Sequence, residues 1–197
     1  MKIQQAKCPK CELTLCMESY DELLYCPTCR AIHTYNPPTI DQISYEIAGF
    51  PEDSPKENRI YVPFWRILSE FHITSGDVDG GFFSKMGKEL EDGGRNGSIY
   101  IYMPASQIDK DAFRYWTVNL TINNPSYEIM KDFDEVKRIP TIISQEDAIE
   151  LTDFVVMILE AENPGILQHL EYSLTVNEAK MIYLPFITGS SGLHLVV

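Results

Sequence analysis

Cys8-Pro9-Lys10-Cys11 and Cys26-Pro27-Thr28-Cys29 form two CxxC hooks fourteen residues apart, the strongest chemical signal in the 197-residue chain. Each hook turns two sulfurs toward one point, and four thiolates close tetrahedrally on Zn²⁺ at about 2.3 Å per bond. The spacing therefore names Cys8, Cys11, Cys26 and Cys29 as metal ligands. Four thiolates on a divalent cation leave a formal charge of −2, which turn N–H groups and the nearby Lys7, Lys10 and Arg30 are placed to offset. Those cations have a structural role without any phosphate. Cys16, the fifth cysteine, falls by alternation on a polar strand face with Glu12, Thr14 and Glu18 and reads as a thiol outside the site. His33, four residues beyond Cys29, is a substitute donor that four intact cysteines make unnecessary.

Other chemistry is weaker. Ser75-Gly76-Asp77-Val78-Asp79-Gly80-Gly81 lacks the ligand spacing and terminal Glu of an EF-hand and reads as an acidic turn. Gly93-Gly94-Arg95-Asn96-Gly97-Ser98 has no Lys-Ser/Thr ending and reads as a connection rather than a phosphate cradle. His72, His169 and His194 are scattered, and Gly189-Ser190-Ser191-Gly192 is not a nucleophile elbow. No catalytic residue is assigned. Phe64, Trp65, Tyr115, Trp116 and Phe186 are candidates to line a ligand pocket, with Arg66 and Arg114 as polar handles, although such aromatics more often build core.

The hooks need short elements to bring them together. Leu13, Leu15 and Met17 alternate on one face, Asp21-Glu22 offers a turn, and Leu23-Leu24-Tyr25 leads back to Cys26, with Ala31 to Tyr35 as a third strand. This arrangement resembles a zinc ribbon, or rubredoxin-like module, over residues 8–35. The resemblance implies a structural metal that folds the hairpin, because metal binding supplies folding free energy that so small a core lacks. It also departs from the pattern, since glycine usually follows each hook where φ is positive, and here Glu12 and Arg30 stand there. That departure disfavours an iron-bearing electron carrier relative to structural zinc.

Asn36-Pro37-Pro38 and Pro51 to Asn58 are proline-bearing polar stretches that mark boundaries. The expected organisation is a ribbon over 1–35, a linker over 36–58 containing a short docking strand or helix at Ile43 to Phe50, and a main domain over 59–197. In that domain Ile60-Tyr61-Val62-Pro63, Ile101-Tyr102-Met103-Pro104 and Ile182-Tyr183-Leu184-Pro185 share a phrase, spaced as if a unit of about 40 residues recurred with its missing copy near Arg138-Ile139-Pro140. Each phrase is expected to be a strand ended by its proline. One helix is expected from a Ser106 cap, with Ile108, Ala112, Trp116 and Leu120 on one face until Asn123-Asn124-Pro125. A second begins at Ser144, carries Ala148, Leu151, Val155, Ile158 and Ala161 inward and stops at Asn163-Pro164-Gly165. Leu170 to Val176 and Met181 to Phe186 read as a hairpin turning at Asn177-Glu178. The fold class is α+β: a small ribbon, then a mixed or antiparallel sheet with two helices packed on one face.

Composition bounds the function. With 44% hydrophobic residues the chain can build a core, and it has no apolar run long enough to span a bilayer and no signal-peptide pattern. Cysteines in CxxC pairs fit a reducing compartment, which points to the cytoplasm. The net charge of −13 falls entirely beyond residue 36, and so acidic a body repels a phosphate backbone and disfavours nucleic acid. The expectation is a non-catalytic zinc-binding adaptor or accessory subunit that meets a protein partner through the loop Met17 to Glu22 or the linker. The alternatives are an enzyme or small-molecule binder using 59–197, and a nucleic-acid-binding zinc ribbon.

Overall fold

The computed structural model describes residues 6–15, 20–36, 39–75, 96–162, 171–190 and 192–197. Cys16, Pro37-Pro38, His169, Ser191, most of the loop from Ser75, the Gly93 to Arg95 stretch, the Asn163-Pro164-Gly165 stop and part of the Met17 to Glu22 loop lie outside them. Strands β1 (Leu23–Cys26), β2 (Ala31–Asn36) and β3 (Thr39–Ile43) form one antiparallel sheet in that order. They are followed by β4 (Tyr45–Ala48), β5 (Arg59–Ser75), β6 (Asn96–Pro104), helix α1 (Lys110–Asn123), β7 (Ile129–Met130) and β8 (Lys137–Arg138). Helices α2 (Gln145–Glu150) and α3 (Thr152–Glu162) precede β9 (Glu171–Gly189) and β10 (Gly192–Leu195). The second sheet runs β6-β5-β9-β4-β7, with β10 added to β9 and β8 added to β5. It is mixed, because β4 runs parallel to β9 while β5 pairs antiparallel with both β6 and β9. The chain is α+β.

The expected hairpin at Asn177-Glu178 is instead one strand, β9, running unbroken along β5. Leu68 faces Glu178 and Ser69 faces Val176, so Asn177 is the extra residue of a bulge. The polar pair that suggested a turn bends the strand without reversing it, which is the use a bulge makes of one unpaired residue. The prolines are the second correction. Pro104 does end β6, but Pro63 and Pro185 lie inside β5 and β9. Tyr61 faces Pro185 and Pro63 faces Tyr183, so the two phrases meet reciprocally about Val62 and Leu184. Each proline carbonyl looks away from this pairing: that of Pro63 accepts from Ala105 N at 2.9 Å and that of Pro185 from Val196 N at 3.0 Å, both just past the end of the neighbouring strand. A residue's N–H and C=O share one strand edge, so the missing donors fall where the ladder is finishing anyway. Ala105 O, which would otherwise face Pro63, takes the N–H groups of Ile142 and Ile143.

Helix α1 starts later than its sequence suggested. Asp109 is the cap, its carboxylate accepting from Asp111 N and Ala112 N, whereas the Ser106 hydroxyl donates to Pro140 O. Asn124, left-handed at φ 41°, ends it. Ser144 caps α2 as expected, accepting from Asp147 N at 3.0 Å. Leu151 joins α2 to α3 in right-handed geometry and is 38% exposed, so the inward positions are Ala148, Val155, Val156 and Leu159.

The two helical segments divide their contacts with the large sheet. Ala148, Val155, Val156 and Leu159 pack with Trp65, Ile67, Ile101, Met181 and Tyr183 on one face. Trp116 and Leu120 of α1 pack with Val62, Phe64, Tyr102, Ile182 and Phe186 on the other, and Thr121 Oγ1 accepts Tyr102 N–H at 3.0 Å from the β6 edge. Phe113 and Val118 of α1 turn back toward the first cluster, so α1 sits along the β6 edge and helps close both faces.

Within 36–58, Thr39–Ile43 completes the small sheet, and Tyr45–Ala48 is the short docking strand expected inside Ile43 to Phe50. Leu23, Ile32 and Ile43 belong to the same buried cluster as Trp65, Phe133 and Tyr183, so the two sheets share apolar packing. Phe133 is its hinge pin, edge-on to Tyr25 at 5.5 Å and to Tyr183 at 4.9 Å.

Candidate metal centre

The first hook is built by a tight local loop. Glu12 N donates to Cys8 O and Cys8 N to Leu13 O, both at 2.8 Å, while Lys7 and Thr14 form a bridge beneath it. The second hook fills the turn between β1 and β2, whose first pair is Cys26 opposite Ala31. Glu12 (φ 60°) and Arg30 (φ 52°) adopt the left-handed backbone expected immediately after each hook. The geometry is thus retained without glycine, at a cost on the order of 1 kcal/mol per residue.

The four sulfurs all lie within 4.8 Å of one another. Cys8 Sγ is 3.4 Å from Cys29 Sγ, and Cys11 Sγ is 3.4 Å from Cys26 Sγ, so each close pair joins one hook to the other. Bonds of about 2.3 Å to a central ion require tetrahedral sulfur separations of about 3.8 Å, whereas a disulfide needs about 2.05 Å. The cysteines are unbridged. This fits a four-thiolate metal site. Cys8 and Cys26 are buried with Leu15 and Leu24, and Cys11 and Cys29 are half-exposed, so the group has one apolar side and one side toward solvent. Among the described residues no other His, Cys, Asp and Glu side chains converge in this way.

The sulfurs differ electrostatically. Burial raises the Cys8 thiol, but the N–H groups of Lys10 and Cys11 and the adjoining sulfurs outweigh it and bring the group down to about 6. Burial and the neighbouring sulfurs drive Cys29 up to about 12. Cys11 is also raised: the Leu13 N–H favours its thiolate, yet burial and the Cys26 and Cys8 sulfurs prevail. Thiolates packed this closely repel, and a divalent cation among them is the charge that lets all four ionise. Arg30 is directed elsewhere, pairing with Asp132 at 2.9 Å.

His33 is the residue that sequence reasoning undervalued. It is 1% exposed, its Nε2 lies 3.5 Å from Cys8 Sγ, and its Nδ1 has no hydrogen-bond partner among the described residues. It is not a replacement for a cysteine; it stands behind one. The available signal was its offset from Cys29 in a strand where Ile32 turns to the shared core and His33 therefore turns to the hooks.

The centre is fixed to the large sheet by a buried carboxylate. Asp21, 2% exposed, accepts from Leu23 N and Thr141 N at 3.1 Å through Oδ1, and its Oδ2 lies 2.6 Å from Arg138 Nη1. Glu22 N adds a bond of 2.7 Å to Thr141 O. Asp21 was read only as a turn residue.

The aromatic candidates separate. Tyr115 and Trp116 line a cleft of about 410 Å³ between α1 and β10, with Asn119 and His194. Phe64 and Phe186 lie under Trp116 as buried core, and Trp65 faces the opposite side, donating to Ile143 O at 2.9 Å. Arg66 is held in a half-buried polar group, donating to Tyr127 Oη at 2.8 Å and to Glu46 Oε1 at 3.2 Å, while Lys180 Nζ reaches the same oxygen at 3.1 Å. Arg114 stays on the outer surface of α1, and His72 lies far along β5 against Asn96. No helix among the described residues is long and apolar enough to cross a membrane. No known protein family matches this chain, and no curated protein or solved structure matches it.

Proposed function

We propose that the chain is a non-catalytic zinc-binding adaptor or accessory protein of a reducing compartment, in which Zn²⁺ held by Cys8, Cys11, Cys26 and Cys29 keeps the N-terminal module in shape for a protein partner. The observation that carries this reading is the convergence of four unbridged sulfurs within 4.8 Å on one side of a small sheet. The metal supplies folding free energy and no reaction step: four cysteine ligands leave no open position for substrate or water, the property that separates structural from catalytic zinc sites. Four thiolates accept zinc or iron, and elemental analysis separates the two. The acidic body, net −13, argues against a nucleic-acid partner.

The test is elemental analysis of purified protein, followed by capture of partners from the native host with wild-type chain and with Cys8→Ser and Cys26→Ser. The reading expects bound zinc, a partner retained by the wild type, and loss of both in the variants. Zinc-independent capture would refute the role given to the module. The cleft at Tyr115 and Trp116 supports a second reading as a small-molecule binder, which a ligand co-purifying with the chain and displaced in Tyr115→Ala would favour.

A further inference from the structure

Helix α3 is apolar on two opposite sides. Val155, Val156 and Leu159, all 0–1% exposed, face the sheet, while Phe154 (53%) and Met157 (52%) stand on the side turned to solvent. A surface helix ordinarily sets one apolar stripe against the core and polar residues opposite it, and Phe154 and Met157 depart from that pattern. Ile149 and Leu151, each 38% exposed, are two further partly exposed apolar residues on α2 and at its junction with α3. The described residues of α2 and α3 themselves carry only negative charge. Glu146 and Glu150 precede Phe154 at four-residue steps on the outer face, and Asp153 lies beside it. Between Arg138 and Lys180 the chain contains eight Asp and Glu and no Lys or Arg.

These observations decide among occupants. A second copy would bring the same acids against each other across the contact, where like charges cost rather than help. An anionic lipid surface would be repelled by the same acids. An amphipathic helix with Leu-type residues on one side and Lys or Arg flanking them satisfies both the apolar residues and the acids. We propose that the outer face of α2–α3, centred on Phe154 and Met157 and bordered by Glu146, Glu150 and Asp153, is the docking surface for a basic amphipathic helix of a partner protein. The surface uses none of the four hook cysteines; the proposal rests on the adaptor reading and deepens it.

The probe is a fluorescein-labelled helical peptide built only of Leu and Lys, titrated with the metal-loaded full chain and followed by anisotropy. A Leu and Glu peptide of the same pattern and an unpatterned Lys and Ser peptide serve as controls. The Leu and Lys peptide is expected to bind, the Leu and Glu peptide not, and the Lys and Ser peptide at least about tenfold more weakly, since apolar anchors dominate such contacts. Phe154→Ser with Met157→Ser keeps every charge and should weaken binding about tenfold or more; both side chains are half-exposed, and circular dichroism checks that the fold is kept. Glu146→Lys with Glu150→Lys should weaken it and flatten its salt dependence. Undiminished binding by the Phe154/Met157 variant would show general charge attraction and overturn the proposal. So would failure of the Leu and Lys peptide to bind, binding of the Leu and Glu peptide, or concentration-dependent self-association abolished by the same two substitutions. None of these results bears on zinc content, so failure here is distinguishable from failure of the metal reading.

Discussion

His33 Nε2 stands 3.5 Å from Cys8 Sγ in a site where both side chains are 1% exposed. With Nδ1 unpartnered among the described residues, the arrangement that uses the ring best is an Nε2–H donated to the sulfur, which spreads thiolate charge and fixes the sulfur's direction. His33→Leu should therefore weaken zinc about 10-fold to 100-fold in chelator competition and shift the charge-transfer bands of the cobalt-substituted protein. His33→Gln, which places an amide N–H near the same point, should recover most of the affinity. Equal loss in both variants would reduce His33 to packing.

The Asp21 contact with Arg138 should be expensive to break. Asp21→Asn keeps the shape but removes the buried negative charge 2.6 Å from Arg138, and a loss of about 3 kcal/mol in urea unfolding is expected. Replacing both partners, as Asp21→Asn with Arg138→Met, should cost less than the two single losses added together. Simple additivity would mean that the pair is not coupled.

Glu46 gives a pH signature. Burial would raise its carboxyl, but Lys180, the Tyr127 hydroxyl and Arg66 outweigh it and hold the group below its ordinary value. A depressed folded value stabilises above the unfolded value, about 4.3, and that contribution disappears as pH falls through the lower folded one. The stability gap between wild type and Glu46→Gln should be about 1–2 kcal/mol at neutral pH, steady down to about pH 5, and should shrink below about pH 4. A gap that widens in acid would contradict this.

Glu12 occupies a left-handed position, φ 60°, on the exposed rim of the first hook. Glu12→Gly should raise the stability of the metal-loaded protein by up to about 1 kcal/mol, since the strain removed exceeds the extra freedom glycine gives the unfolded chain. Loss of stability would indicate that the Glu12 side chain holds the loop.

The hooks were legible because ligand chemistry is local: two residues between cysteines fix a turn whatever lies beyond it. Helix α2 was legible for the same reason, its Ser144 cap and Asp147 lying three residues apart. The long strands were not. Pro63, Pro185 and the Asn177-Glu178 pair all signal a break, and each is tolerated because of its neighbour: Pro63 sits where β6 ends at Ala105, Pro185 where β10 ends before Val196, and Asn177 in a bulge against β5 more than a hundred residues away. Asp21 reads from sequence as a turn residue and His33 as an unneeded substitute donor, since the buried partners Arg138 and Cys8 come from tertiary contact. Leu151 was expected inside because its spacing allowed it; Val156 and Leu159 took the sheet-facing positions instead.

The most direct measurement is metal content taken together with thiol counting on the same purified protein. The account predicts one zinc per chain, with the four hook thiols resisting alkylation until a chelator removes the metal and then reacting together, accompanied by loss of structure in the N-terminal module. Protein that is folded, free of zinc and equally reactive at Cys8, Cys11, Cys26 and Cys29 with or without added metal would contradict it.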